Sequence, residues 1–164
     1  LALNPNALVP VIRDGDFVLW ESNAICRYLA ASAGRSDLLP DRPASRALVE
    51  QWMDWQATEL NNAWRYAFMA RVRGSPTHSD TNAIAASIRD WNRHMATLDA
   101  ALERSGAFVT GATFTLADVV LGLSTHRWFM TPLAARPTLP AVQAYYERLT
   151  LRPGYRAHGR NGLP

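Results

Sequence analysis

Glu21 and Ser22 stand side by side, after an apolar segment and before a helical period, and that placement gives each a chemical use. A hydroxyl at a helix start lies among unsatisfied N–H groups and at the positive end of the helix dipole, where a carboxylate is favoured. The adjacent Glu21 side chain suits an ammonium. Together the pair fits the two opposite charges of an amino-acid terminus. Upstream, Val9-Pro10 opens a short apolar run. An X-Pro bond reaches the cis form at modest cost, and a bend there would hold the N–H and C=O of Val9 clear of the following strand. Those groups could then pair with an extended ligand, which is strand-type recognition of a small peptide. Taken singly the signals are ordinary, since most X-Pro bonds are trans and Ser is a common N-cap.

The elements needed to position these residues are legible around them. Val11-Ile12 and Phe17-Val18-Leu19-Trp20 flank Asp14-Gly15-Asp16, a strand, a Gly turn and a second strand. A helix follows over residues 23–33 and carries Cys26, the single cysteine, which cannot form an internal disulfide and suits a buried packing role. Residues 36–43 are rich in Pro and polar groups and read as a linker. Beyond it the period becomes helical. One long helix is predicted over about residues 43–73, with Leu48, Val49, Trp52, Met53, Leu60, Ala63, Trp64, Ala67 and Phe68 at helical spacing, and Gly74-Ser75-Pro76 ending it. A second, over about residues 81–104, buries Ile84, Ile88, Trp91, Met95, Leu98 and Leu102, and the two are expected to pack antiparallel. Thr115-Leu116-Ala117-Asp118 is a capping box with Phe114 and Val119 as a hydrophobic staple, so Asp118 reads as a structural cap rather than a catalytic acid. A last helix is predicted from Pro137-Thr138-Leu139-Pro140 to about Thr150.

The order of these pieces resembles the glutathione S-transferase family, of the bacterial cytosolic type. In that family Asn-Pro-x-x-x-Val-Pro, a strand hairpin and Glu-Ser-x-Ala-Ile-x-x-Tyr-Leu recur in this order, and Asn4, Pro5, Val9, Pro10, Glu21, Ser22, Ala24, Ile25, Tyr28 and Leu29 match. The Thr115 to Asp118 box sits where the family caps a central helix of its all-α domain, Arg152-Pro153 resembles the family's chain ending, and the Trp52-Met53-Asp54-Trp55 segment is similar to bacterial members. The resemblance implies an α/β thioredoxin-like remnant of two strands and a helix over residues 1–35, the linker at 36–43, and an all-α domain over 44–164, mostly α overall. It implies glutathione as co-substrate, held by Val9, Pro10, Glu21 and Ser22, and a small hydrophobic electrophile against the helical domain, where Trp64, Arg65, Phe68, Met69, His126 and Trp128 are candidate lining residues. Packing in the core is the competing reading of that aromatic stripe and of His126. A homodimer is implied, with Trp52 and Trp55 as contributors.

Three departures accompany the resemblance. Ala7 and Leu8 stand where members often carry Gly or His and Lys, so those side chains offer no polar contact to the glycine carboxylate. The strand, helix, strand and helix that precede Asn4 in the family are not in the sequence, and with them goes the thiol-activating position; no catalytic residue is assigned. A two-stranded sheet alone is marginal in water, and Leu1 is not an initiator Met, so the intact protein is expected to carry roughly another half-domain. Two functions remain open: a transferase moving a glutathione thiolate onto an electrophile, or an inactive glutathione-transferase-like domain that binds ligands or protein partners.

Composition narrows other classes. The 164 residues are 48% hydrophobic, enough for a sizeable core. Every basic residue is Arg and the net charge is +3, but the arginines are scattered rather than striped, which does not read as a nucleic-acid surface. No apolar run approaches the roughly 20 residues needed to span a bilayer, and no secretory leader opens the chain, so no membrane partner and a cytoplasmic location are expected. His78, His94, His126 and His158 form no His-x-x-x-His pair, there is no Cys-x-x-Cys, and no P-loop or Gly-x-Ser-x-Gly elbow occurs; no metal site is expected.

Overall fold

The computed structural model describes residues 3–162; Leu1, Ala2, Leu163 and Pro164, the outermost residues of the two expected domains, lie outside the described residues. Strands β1 (Val11–Asp14) and β2 (Phe17–Trp20) pair antiparallel, with Val11 opposite Trp20 and Asp14 opposite Phe17. Gly15 takes the first loop position at φ 59°, a conformation that costs a residue with a Cβ. Helix α1 (Ser22–Ser32) folds back beside the hairpin, where the Tyr28 hydroxyl donates to Asp14 Oδ2 at 2.6 Å and its ring meets Phe17 at 5.1 Å.

Helix α2 (Pro43–Trp55) begins with Pro at N1, where the missing N–H is harmless. It runs into a π-helical turn (Gln56–Leu60) and on into α3 (Asn61–Arg71). The single long helix expected from periodicity is therefore present but carries a π-bulge at its centre. Helix α4 (Thr81–Ser105) is capped by Asp80, whose carboxylate accepts the N–H groups of Asn82 and Ala83 at 2.8 and 3.0 Å. It returns antiparallel to α3: the Ser87 hydroxyl donates to the Ala63 carbonyl at 2.6 Å and accepts the Ala67 N–H at 3.1 Å, while Trp64 packs on Trp91.

Helix α5 (Leu116–Met130) threads the middle of the helical layer and is buried on nearly every side. Its N-terminus is fixed by the expected capping box. Asp118, 1% exposed, accepts the Thr115 N–H at 2.9 Å, the Thr115 hydroxyl at 3.1 Å, the Val109 N–H at 3.1 Å and the Tyr145 hydroxyl at 3.1 Å. Helix α6 (Pro140–Thr150) closes the core through Val142, Tyr145 and Leu149, and a short π-helical turn (Tyr155–Gly159) follows Arg152-Pro153. The Tyr155 hydroxyl of this segment donates to the Gly122 carbonyl of α5 at 2.9 Å.

The hairpin and α1 are tied to the helices at defined points. Asn23 Nδ2 donates to the Met53 carbonyl at 3.0 Å, Arg27 pairs with Asp54 at 2.6 Å, and the Leu116 N–H donates to the Leu38 carbonyl at 3.0 Å. These links set the start of α1 against the π-bulge and α5, and so shape the space between them.

Candidate functional site

Two observations define the hairpin end of the site. The Val9–Pro10 bond is cis, Val9 is 90% exposed, and its N–H donates no hydrogen bond to, and its C=O accepts none from, the other described residues. The β1–β2 ladder ends at Val11 opposite Trp20, so Val9 and Ser22 each lie two residues beyond its last pair. The bend itself is organised by Asn4, a buried residue whose amide donates to the Leu8 carbonyl at 2.8 Å and whose Oδ1 accepts the Asn6 N–H at 2.9 Å. Asn4 was read only as part of a motif; an Asx turn is a local signal that would have given it this role.

Ser22 is the first residue of α1 rather than its N-cap. The N-cap is Glu21, and it sits at φ 72° and ψ 116°, in a region that L residues avoid. No side chain caps the helix. Its first-turn N–H groups are left for solvent or for an anion, with the Ser22 hydroxyl exposed beside them. A strained non-glycine residue held at such a junction persists because the surrounding structure over-determines it, and strain of this kind gathers at binding sites.

Between α1, the π-bulge, α3 and α5 lies a cleft of about 490 Å³. Glu21 and Ser22 line one wall; Trp64, Arg65 and Arg127 line the other, and Val119, Val120 and Leu123 supply apolar surface. A second, more apolar hollow of about 540 Å³ shares Val119 and Leu123 with it and extends to Phe114, Leu151 and Tyr155. Gln56 of the π-bulge links the cleft's polar side chains: its Nε2 donates to Ser124 Oγ at 2.9 Å and to Asn61 Oδ1 at 3.0 Å, and Trp64 Nε1 donates to the same Asn61 oxygen at 2.9 Å. Cys26 also lines it, and burial pushes its thiol above the usual value, with Arg27 partly offsetting.

Of the residues expected against a second substrate, Trp64 and Arg65 reach the cleft. Phe68, Met69, His126 and Trp128 do not line it, and for Phe68, His126 and Trp128 burial agrees with the competing core reading. Phe68 is 5% exposed and packs edge-on against Trp64, and Met69 is half-buried on another face of α3. The His126 Nδ1 lies 2.8 Å from the Tyr146 hydroxyl in the core, and Trp128 donates to Asn92 Oδ1 at 2.9 Å. Because α5 is apolar almost all round, its periodicity does not say which face meets the cleft. Gln56, Asn61, Ser124 and Arg127 were missed. Each is a single polar residue on a helix and reads as solvated surface. Among the described residues no three His, Cys, Asp or Glu side chains gather as metal ligands, and no helix is long and apolar enough to cross a membrane.

A cis-Pro hairpin leading through a strained Glu-Ser junction into a helix, set against an all-α layer, is the arrangement of a glutathione-binding transferase. Family models agree: residues 1–32 match the glutathione S-transferase N-terminal domain and residues 81–148 the C-terminal domain. The chain is 43% identical over 158 residues to glutathione S-transferase GstB of Escherichia coli strain K12, covering 95% of this chain and 75% of that protein. It is 30% identical over 164 residues to elongation factor 1-gamma 1 of Oryza sativa subsp. japonica, covering 95% of this chain but 37% of that one. Among solved structures, a theta class glutathione S-transferase from Xanthomonas axonopodis pv. citri with glutathione bound superposes with a TM-score of 0.88 at 42% identity, over 96% of this chain and 75% of that chain. The chain belongs to the glutathione S-transferase family, and its fold is a thioredoxin-like remnant followed by a helical domain.

Proposed function

We propose that this protein transfers the thiolate of glutathione to small hydrophobic electrophiles, a detoxifying conjugation carried out in the cytoplasm. The observations that carry the reading are the uncapped start of α1 and the unpaired main chain of Val9 at the hairpin's open end. The γ-glutamyl carboxylate accepts from the Ser22 hydroxyl and the first N–H groups of α1, its ammonium faces Glu21, and the cysteinyl main chain pairs with Val9 past the cis Pro10. This holds the thiol toward the cleft, whose Trp64, Arg65, Val119 and Leu123 surround the second substrate. In the reaction the sulfur forms a bond to the electrophilic carbon while the leaving group departs with its electron pair, and the thiol proton passes to solvent. Residues 1–35 and 44–164 act as the two functional halves, with 36–43 between them, and a homodimer forms with Trp52 and Trp55, an edge-on pair 5.1 Å apart, contributing to the contact.

The test is glutathione-dependent conjugation of 4-nitrobenzyl chloride by the protein and its Ser22→Ala variant. Loss of one charge-assisted hydrogen bond raises the KM for glutathione about tenfold. An unchanged KM would remove Ser22 from the site. Similarity to elongation factor 1-gamma 1 supports a second reading, an interaction domain; glutathione binding without turnover of any electrophile would favour it.

A further inference from the structure

Arg127 is an unusual resident of the cleft wall. Its guanidinium lies over the Trp64 ring at 4.4 Å and over Phe68 at 5.2 Å. Its Nε is shut off from solvent with no hydrogen-bond partner. Among the described residues no carboxylate comes within ion-pair distance of it, or of its neighbours Arg65 and Arg73. Arg73 adds to the positive charge, sitting over Phe68 at 5.6 Å. Burial, and then the field of Arg73, push the Arg127 guanidinium below its usual pKa, so the cation is held at a cost.

A cation retained for packing alone would ordinarily find acceptors, because withdrawing charge from water without a partner is expensive. An aromatic face attracts the guanidinium through its π-cloud and consumes none of its N–H donors. Trp64 is itself fixed by the Asn61, Gln56 and Ser124 chain of hydrogen bonds, so the platform under Arg127 is rigid. Apolar surface from Val119, Val120 and Leu123 lies in the same cleft. Such a cleft suits a molecule with an apolar body and one planar anion, which a guanidinium fork engages with two parallel hydrogen bonds.

We propose that Arg127, stacked on Trp64, is the anion-recognising residue of the second-substrate cleft, and that it selects electrophiles bearing a carboxylate. This rests on the transferase reading above. Exposed Arg65, at the same cleft, raises the local concentration of such acids. With 4-(bromomethyl)benzoate, the glutathione sulfur bonds to the benzylic carbon, bromide leaves with the bonding electron pair, and the thiol proton goes to solvent; the carboxylate stays on Arg127 throughout.

The test compares 4-(bromomethyl)benzoate with 4-(bromomethyl)benzamide, matched in shape and leaving group, in the wild type and in Arg127→Gln and Arg127→Lys. Binding of unreactive 4-methylbenzoate and 4-methylbenzamide is measured alongside by quenching of tryptophan fluorescence, with circular dichroism reporting the fold. In the wild type the acid is preferred. Arg127→Gln raises the KM for the acid relative to the amide about tenfold or more, weakens 4-methylbenzoate binding to match, and Arg127→Lys recovers part of both. Equal losses for acid and amide would overturn the proposal, as would a change confined to the KM for glutathione, which would give Arg127 to the glycine carboxylate instead. If neither bromide turns over but 4-methylbenzoate still binds through Arg127, the anion site stands and the transferase reading falls.

Discussion

Asp118→Ala should cost this protein a large share of its stability. The carboxylate is 1% exposed and takes four donors, and it is the only acceptor that the buried N–H groups of Val109 and Thr115 have among the described residues. The other two donors have alternatives: the Tyr145 hydroxyl lies 3.4 Å from the Asp118 main-chain oxygen, and the Thr115 hydroxyl 3.5 Å from Thr110 Oγ1. Each orphaned buried N–H costs about 1–3 kcal/mol. Removing a carboxyl whose ionisation burial opposes returns part of that, leaving a net loss of about 2–4 kcal/mol against a total of about 5–15 for a domain. Urea unfolding followed by far-ultraviolet circular dichroism measures it, with the slope unchanged and the midpoint lowered. Asp118→Asn keeps one acceptor oxygen but turns an amide toward the two Thr115 donors, so its loss falls between wild type and Ala. A loss under about 1 kcal/mol for Asp118→Ala would refute the view that this carboxylate anchors α5.

Burial pushes the Asp118 carboxyl above its ordinary value, against the donors that favour ionisation. A raised folded pKa means that the native state holds the proton longer, so the group's contribution is full below its unfolded value and fades as pH rises through the folded one. The gap between wild type and Asp118→Ala therefore widens on acidification, and urea midpoints that converge at low pH would contradict this. Glu21→Gly relieves the backbone at φ 72° and should raise stability by about 1 kcal/mol while weakening glutathione binding, a divergence that thermal melts and calorimetry read separately. Gly122→Ala sets a Cβ 2.9 Å from Leu149 Cδ1 and 3.1 Å from Tyr155 Cε2, and costs about 1–3 kcal/mol by chemical denaturation with no change in glutathione affinity.

Most of the chain's elements follow from local rules that sequence exposes. The hairpin is set by two apolar runs around the Gly15 turn, and the starts of α2 and α5 by Pro43 and by the Thr115 to Asp118 box. The cleft is less legible because it is assembled from single residues on separate elements. The π-bulge at Gln56–Leu60 leaves the apolar pattern of the long helix intact, so nothing in the spacing announces it, yet it carries Gln56, which bridges Ser124 and Asn61. In sequence Glu21 shows only its charge, while its positive-φ backbone, fixed by tertiary context, places the helix start one residue earlier than the cap pattern suggests. His126 and Trp128 are buried, as their competing core reading has it, and α5 offers no polar face that would show from sequence which way they point.

The most direct measurement of the central claim is a crystal structure of the protein with S-methylglutathione. The γ-glutamyl carboxylate is expected within hydrogen-bonding distance of the Ser22 hydroxyl and the first N–H groups of α1, the cysteinyl main chain paired with Val9, and the methyl group facing Trp64. Electron density for the ligand elsewhere on the chain, with Ser22 and Val9 left to solvent, would contradict it.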